Sequence, residues 1–193
     1  MIDIKLLEQL CLCNGISGDE GNVRNLIINE IKDCADDIKT DNLGNLIVFK
    51  KGKKSAKSKL MVSAHMDEVG LMVTDITSDG YLKFDEVGGI DRRVLPGKRV
   101  CIGRNGLNGV IGVKPIHLTN GDEKTAVPKM NDMYIDIGAE SREDALKYVN
   151  YGDGINFEGD FKINGKTVVT KALDDRFGCY VLTVSYTHLT LPT

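Results

Sequence analysis

Ile4, Leu7, Leu10 and Cys11 recur at three- and four-residue spacing, so the chain is predicted to open with an amphipathic helix. Asp3 is placed to cap that helix and Asn14-Gly15 to end it. Val23, Leu26, Ile27 and Ile31 repeat the period and predict a second helix reaching about Cys34. Ser17, followed three residues later by Glu20, is a reciprocal capping pattern for its start. The period then shortens to two. Residues 38–40 and 46–50 flank Asp41-Asn42-Leu43-Gly44-Asn45, a run of turn formers, and predict a strand pair. Residues 50–59 hold six lysines with Gly and Ser and predict a solvated loop. Leu60, Met61 and Val62 follow as a short apolar run, predicting a strand that ends at His65.

From residue 69 to about 166 short β-type segments alternate with Gly-rich turns: GLMVTDI, YLKFDEV, KRVCIG, the turn NGLNG, VIGVKP. No long helical pattern interrupts them, which predicts a small all-β barrel or sandwich. Residues 117–130, polar and with Pro115 and Pro128 nearby, predict an exposed loop, and His117 is read as a loop residue. Residues 134–137 predict a strand, Ser141 the start of a short helix to Val149, and residues 152–157 a further strand. FKI-NG-KTVVTKA, residues 161–172, reads as strand, turn, strand, with the second strand ending at Leu173-Asp174-Asp175-Arg176. Residues 177–182 are apolar enough to open a helix.

Composition narrows the function classes. A net charge of −3 over 193 residues is too near neutral to imply a nucleic-acid or membrane partner. The N-terminus lacks a basic-then-apolar leader pattern, and no apolar run approaches the ~20 residues of a membrane span. The five cysteines are odd in number and form no CxxC pair; they read as reduced, mostly buried thiols of a cytosolic protein.

Two acidic clusters carry candidate chemistry. In KLMVSAHMDEVGLMVT, residues 59–74, His65 and Asp67 are two apart and can share one face of an extended segment. An imidazole beside a carboxylate suits a metal ligand whose other ring nitrogen is held by the acid. Asp174 and Asp175 stand at a second strand-to-helix junction, a common place for ligands in α/β folds. If the β segment between them is an insertion, the two strands can be neighbours with their C-terminal ends together. A carboxylate there can bridge two cations that activate a water.

NGISGDE, DNLGNLIV, VSAHMDEVGLMV, YIDIGAESREDA and KALDDRFGC resemble the N-terminal part of the M42 metallo-aminopeptidases, the family of glutamyl aminopeptidases and TET peptidases. The resemblance implies an α/β fold: an incomplete zinc-peptidase-like catalytic domain with an inserted small all-β, barrel or PDZ-like, domain. Residues 1–68 and 167–183 would be the two parts of the catalytic domain and residues 69–166 the insert, which helps subunits associate. It implies two divalent ions, zinc or cobalt. His65 would ligate one, Asp67 would orient His65, Asp174 would bridge both, and Asp175, joined to Asp174 by a cis peptide, would support the site from behind. Peptide substrates and a homo-oligomer, a dodecamer among the options, are implied for the full-length protein. The family's general base and further ligands lie downstream of the ALDDR motif, where this chain has no matching positions, so the chain is expected to be inactive alone. Residues 184–193, VSYTHLTLPT, resemble a translated sequencing adapter and are expected neither to continue a helix nor to pack; His188 is not taken as the missing ligand. Two other readings compete. One is a non-catalytic oligomerisation or regulatory module. The other is a glycoside hydrolase, which needs two carboxylates and gives the His-x-Asp pair no role.

Overall fold

The computed structural model describes residues 4–52, 58–115 and 127–188, and these divide into two units, residues 4–68 with 159–188 and residues 69–158. Asp3, His117, residues 53–57 of the lysine-rich run and residues 189–193 lie outside the described residues, as does the side chain of His188.

The first unit opens with α1 (Ile4–Leu12), which buries Leu6, Leu7, Leu10 and Cys11. α2 (Gly21–Ile31) buries Val23, Ile27 and Ile31, one stripe of a 3.6-residue period. The capping box does not form. The helix begins at Gly21, so Glu20 rather than Ser17 stands at the cap position; the Glu20 carboxylate accepts from the Gly18 amide, and the Ser17 hydroxyl donates to Asp67. β1 (Asp37–Thr40) and β2 (Leu46–Phe49) pair antiparallel, and Asp41 closes the turn by accepting from the backbone amides of Leu43 and Asn45.

The second unit is a closed barrel. Its strands are β3 (Gly70–Ile76), β4 (Leu82–Val87), β5 (Arg99–Ile102), β6 (Leu107–Val113), β7 (Met133–Asp136) and β8 (Gly154–Phe157), in the order β3-β4-β7-β6-β5-β8. β8 pairs with both β5 and β3 and so closes the ring. Alternate residues of each strand point inward: Leu71 and Val73, Leu82 and Phe84, Val100 and Ile102, Met133 and Ile135 are buried. Ser141 caps α3 (Arg142–Ala145), accepting from the Asp144 amide. Two details differ from expectation. Leu107–Gly109, read as turn, already pairs with β5, and Met130, read as loop, is buried in the barrel core.

The expected insert boundary at residue 166 also moves. The ring is complete at Phe157, so the hairpin β9 (Lys162–Asn164) and β10 (Thr167–Val169) falls in the first unit. α4 (Leu173–His188) follows, its regular part beginning after the non-helical Asp174 and Asp175, whose peptide bond is cis. Cys179 and Tyr180 of α4 pack with the buried residues of α1 and α2. α4 does not stop at residue 183. It runs to His188, Val184 and Tyr186 pack on the first unit's core, and the Tyr186 hydroxyl donates to the Val48 carbonyl. Thr and Ser cost a helix only tenths of a kcal/mol each, roughly, and here Thr183 and Ser185 donate to carbonyls one turn back.

The strand expected before His65 is absent. Residues 59–67 form no regular secondary structure and pair with no strand among the described residues, and Leu60 and Met61 are 91% and 88% exposed. An extended segment becomes a strand only when a neighbour completes its hydrogen-bond ladder.

Candidate metal centre

His65 and Asp67 lie on a segment whose alternate residues, Ala64 and Met66, pack on the first unit's core. Period-two alternation therefore turns His65 and Asp67 outward together. The segment is anchored at its end: the Glu68 amide donates to the Gly15 carbonyl at 2.9 Å, and Ile16 and Glu68 form a parallel bridge.

Asp174 arrives differently from expectation. β10 ends at Val169, so no strand delivers it. Ala172 takes a left-handed φ of 53°, and the chain then turns into α4. Asp175 serves as the cap of the regular helix, its Oδ1 accepting from the Gly178 amide at 3.0 Å. Asp174, just ahead of that cap, is 95% exposed in its side chain and free to face His65.

The His65 ring lies between two carboxylates. Nδ1 is 2.9 Å from Asp67 Oδ1, and Nε2 is 3.1 Å from Asp174 Oδ1. A neutral imidazole carries one N–H, so it satisfies only one of these acceptors. The other nitrogen then faces a carboxylate oxygen with a lone pair, and the pair is favourable only if a proton or another cation lies between them. Burial of the ring pushes its pKa down, but the hydrogen bonds and charges of Asp67 and Asp174 outweigh it and the net direction is up. Asp67 is held below the usual carboxylate range, first by the Ser17 hydroxyl and then by His65, against a burial contribution that raises it.

This donor set fits a divalent metal in part. Two ligands on one zinc-type ion, each at about 2.0–2.2 Å, stand about 3–3.5 Å apart, and the Nε2–Oδ1 separation falls in that range. Asp67 on the opposite nitrogen is the usual support of a ligating histidine. Among the described residues no group of three or more His, Cys, Asp or Glu side chains gathers to complete a site.

Beneath this face lies a cluster that sequence reading did not assign. Glu68 is buried and accepts from Lys171 Nζ at 2.9 Å; Lys171 also donates to Asn14 Oδ1. Arg176 is fully buried. Its Nη1 donates to the carbonyls of Leu10 and Cys13, and its Nη2 to that of Gly15. These carbonyls belong to the last turn of α1 and the loop after it, where a cation satisfies both orphan acceptors and the helix dipole. The only sequence signal was charge next to the motifs: Glu68 follows Asp67, and Lys171 and Arg176 flank Asp174-Asp175.

A sequence model of the M42 glutamyl aminopeptidase family matches residues 44–191. The chain is 34% identical to the lysyl aminopeptidase of Pyrococcus furiosus over 191 residues, covering 94% of this chain and 54% of that protein. The structure superposes on a Pyrococcus horikoshii TET1 peptidase, described as assembling into a tetrahedron or a large octahedral shell, with a TM-score of 0.85. The two are 45% identical, over 96% of this chain and 56% of that one. It also matches a Thermotoga maritima protein described as an endoglucanase, with a TM-score of 0.83 and 43% identity over 94% of this chain and 53% of that one. The chain spans about half the length of the curated relatives it matches.

Proposed function

Because the chain belongs to the M42 glutamyl aminopeptidase family, we propose that its first unit supplies His65 and Asp174 to a two-metal centre in a protein that removes N-terminal residues from peptides. The observation that carries this reading is the imidazole held between two carboxylates, which calls for a cation on Nε2. His65 would ligate one ion, Asp174 would reach both, and Asp67 would hold the ring by its Nδ1–H. Asp175 acts further back: by capping α4 it holds the turn that presents Asp174. When bound, a pair of zinc or cobalt ions supplies Lewis acidity to the scissile carbonyl and an activated water.

On this reading His65 and Asp174 contribute one nitrogen and one oxygen ligand, and among the described residues no group of three or more His, Cys, Asp or Glu side chains gathers to complete the set. We therefore expect the 193-residue chain alone to show no aminopeptidase turnover, since loss of several ligands and a base together costs many orders of magnitude. The whole protein is expected to act on peptides as a homo-oligomer, a dodecamer among the options. The endoglucanase label of the Thermotoga protein finds little support here. A glycosidase sets two carboxylates on either side of a sugar, whereas here the His65 ring occupies the space between Asp67 and Asp174.

The test is a zinc titration of the 15N-labelled chain. His65 resonances are expected to shift in the wild type and to lose that response in Asp174→Ala. In a full-length relative carrying the same motifs, the substitution equivalent to His65→Ala is expected to lower kcat/KM by at least about a thousandfold. A full-length relative that keeps its kcat/KM after the substitution equivalent to His65→Ala would sink the metal reading.

A further inference from the structure

Ser17 is a capping-type residue that caps nothing. α2 starts after Glu20 without a side-chain cap bond, and the Ser17 hydroxyl donates its one proton to Asp67 Oδ2. Asp67 thus has both oxygens engaged, Oδ1 by His65 and Oδ2 by Ser17. A carboxylate held through one oxygen can swing about its Cβ–Cγ bond; two bonds from different directions fix its plane.

The hydroxyl is itself held in place. Ile16 is buried and bridged to Glu68, the Glu68 amide donates to the Gly15 carbonyl, and the Asp19 amide closes a turn onto the Ile16 carbonyl at 2.9 Å. Gly18 supplies the left-handed φ of 88° that the turn needs. Gly15 is fixed from beneath by the Arg176 guanidinium, and a Cβ there would meet Val23 at 2.7 Å. The loop carrying Ser17 and the segment carrying Asp67 and His65 are therefore bound together at consecutive residues, and Ser17 is the point where the loop touches the site.

From this geometry we propose that Ser17 is a positioning residue for His65. By holding Asp67 in one plane, it keeps the ring in the Nδ1–H form with the Nε2 lone pair directed toward Asp174. The inference builds on the metal reading for its purpose but is tested without metal. A hydroxyl that only stabilised the loop would leave the ring's tautomer alone. One that orients Asp67 controls it, because a free imidazole prefers the Nε2–H form and Asp174 would accept that proton.

The experiment is long-range 1H–15N correlation of the metal-free 193-residue chain, at a pH where the His65 shifts no longer change, with His65→Gln to assign the ring. The wild type is expected to be mainly Nδ1–H. Ser17→Ala is expected to move the ring toward Nε2–H, and Ser17→Thr, which keeps the hydroxyl, to restore the wild-type ratio. Zinc affinity is expected to fall about tenfold in Ser17→Ala. If Ser17→Ala fails to fold, Ser17→Cys, a weaker donor of similar size, carries the same expectation. An unchanged tautomer ratio in a folded Ser17→Ala chain, judged by unshifted resonances of the first unit's core residues such as Leu10, Ile31 and Tyr180, overturns the proposal. A tautomer shift in Ser17→Ala would uphold Ser17 as the positioning residue even if the full-length His65→Ala comparison ended the metal reading.

Discussion

Cys179 lies one turn into α4 with its Sγ 3.2 Å from the His65 carbonyl oxygen. Burial pushes its pKa up to about 11, against the opposing charge of Arg176 and with a further push from Asp175. The folded state therefore favours the neutral thiol. Between about pH 8.5 and 11 the unfolded chain gives up this proton first, so the Cys179 contribution to stability falls as pH rises through that window. Comparing urea midpoints at pH 8 and pH 10 should show a larger loss for the wild type than for Cys179→Ala. Alkylation at pH 8 should be on the order of a hundredfold slower at Cys179 than in the urea-unfolded chain. The buried Glu68 and Arg176, with the half-buried Lys171, follow a related logic: each charge is tolerated because the others and the α1 carbonyls surround it. Breaking such a set by removing one partner costs roughly 3–5 kcal/mol.

At the scale of the element, the start of α4 matters most. Leu173 and Asp174 precede the regular helix, and Asp175 caps it across Gly178. A Cβ on Gly178 would collide with the Asp175 carboxylate, so the glycine makes room for the cap. Asp175→Ala is expected to cost about 1 kcal/mol through the lost cap. Because the same turn presents Asp174, that variant should also weaken the zinc response of His65. Thermal melting and the zinc titration read the two effects separately, and a normal zinc response in a destabilised Asp175→Ala chain would show that the cap and the site are independent.

The two units meet the problem of exposed edges differently. The barrel pairs every strand on both sides and holds its own core, from Leu71 to Ile155. Residues 69–158 expressed alone are expected to fold cooperatively, with a β-type circular dichroism spectrum and a sharp melt; a broad, non-cooperative transition would contradict this. The first unit leaves Leu60, Met61 and Val62 in the open on a segment that pairs with no strand among the described residues, with Ile47 and Phe49 of β2 also exposed. Amides of residues 59–67 should accordingly exchange with solvent orders of magnitude faster than those of β3.

Local pattern was enough for much of this protein. Periodicity made α1, α2, the β1–β2 pair and most barrel strands legible, because each depends on a repeat or a turn type written within a few residues. The His65-x-Asp67 spacing was legible for the same reason: alternation along an extended segment puts them on one face whatever lies beside it. What local pattern could not reveal depends on partners distant in sequence. Leu60-Met61-Val62 has the composition of a strand but pairs with no strand among the described residues. Ser17 has the spacing of a cap, yet α2 begins four residues later, and its hydroxyl donates to a carboxylate 50 residues away. Residues 184–188 were read as unable to extend a helix, and packing of Tyr186 onto the β1–β2 unit carried them into it. The approach of Asp174 to His65, 109 residues apart, and the buried Arg176 beneath them are likewise products of packing. Hydrogen-bond and charge partners are chosen by proximity in three dimensions, and only the tertiary structure decides that proximity.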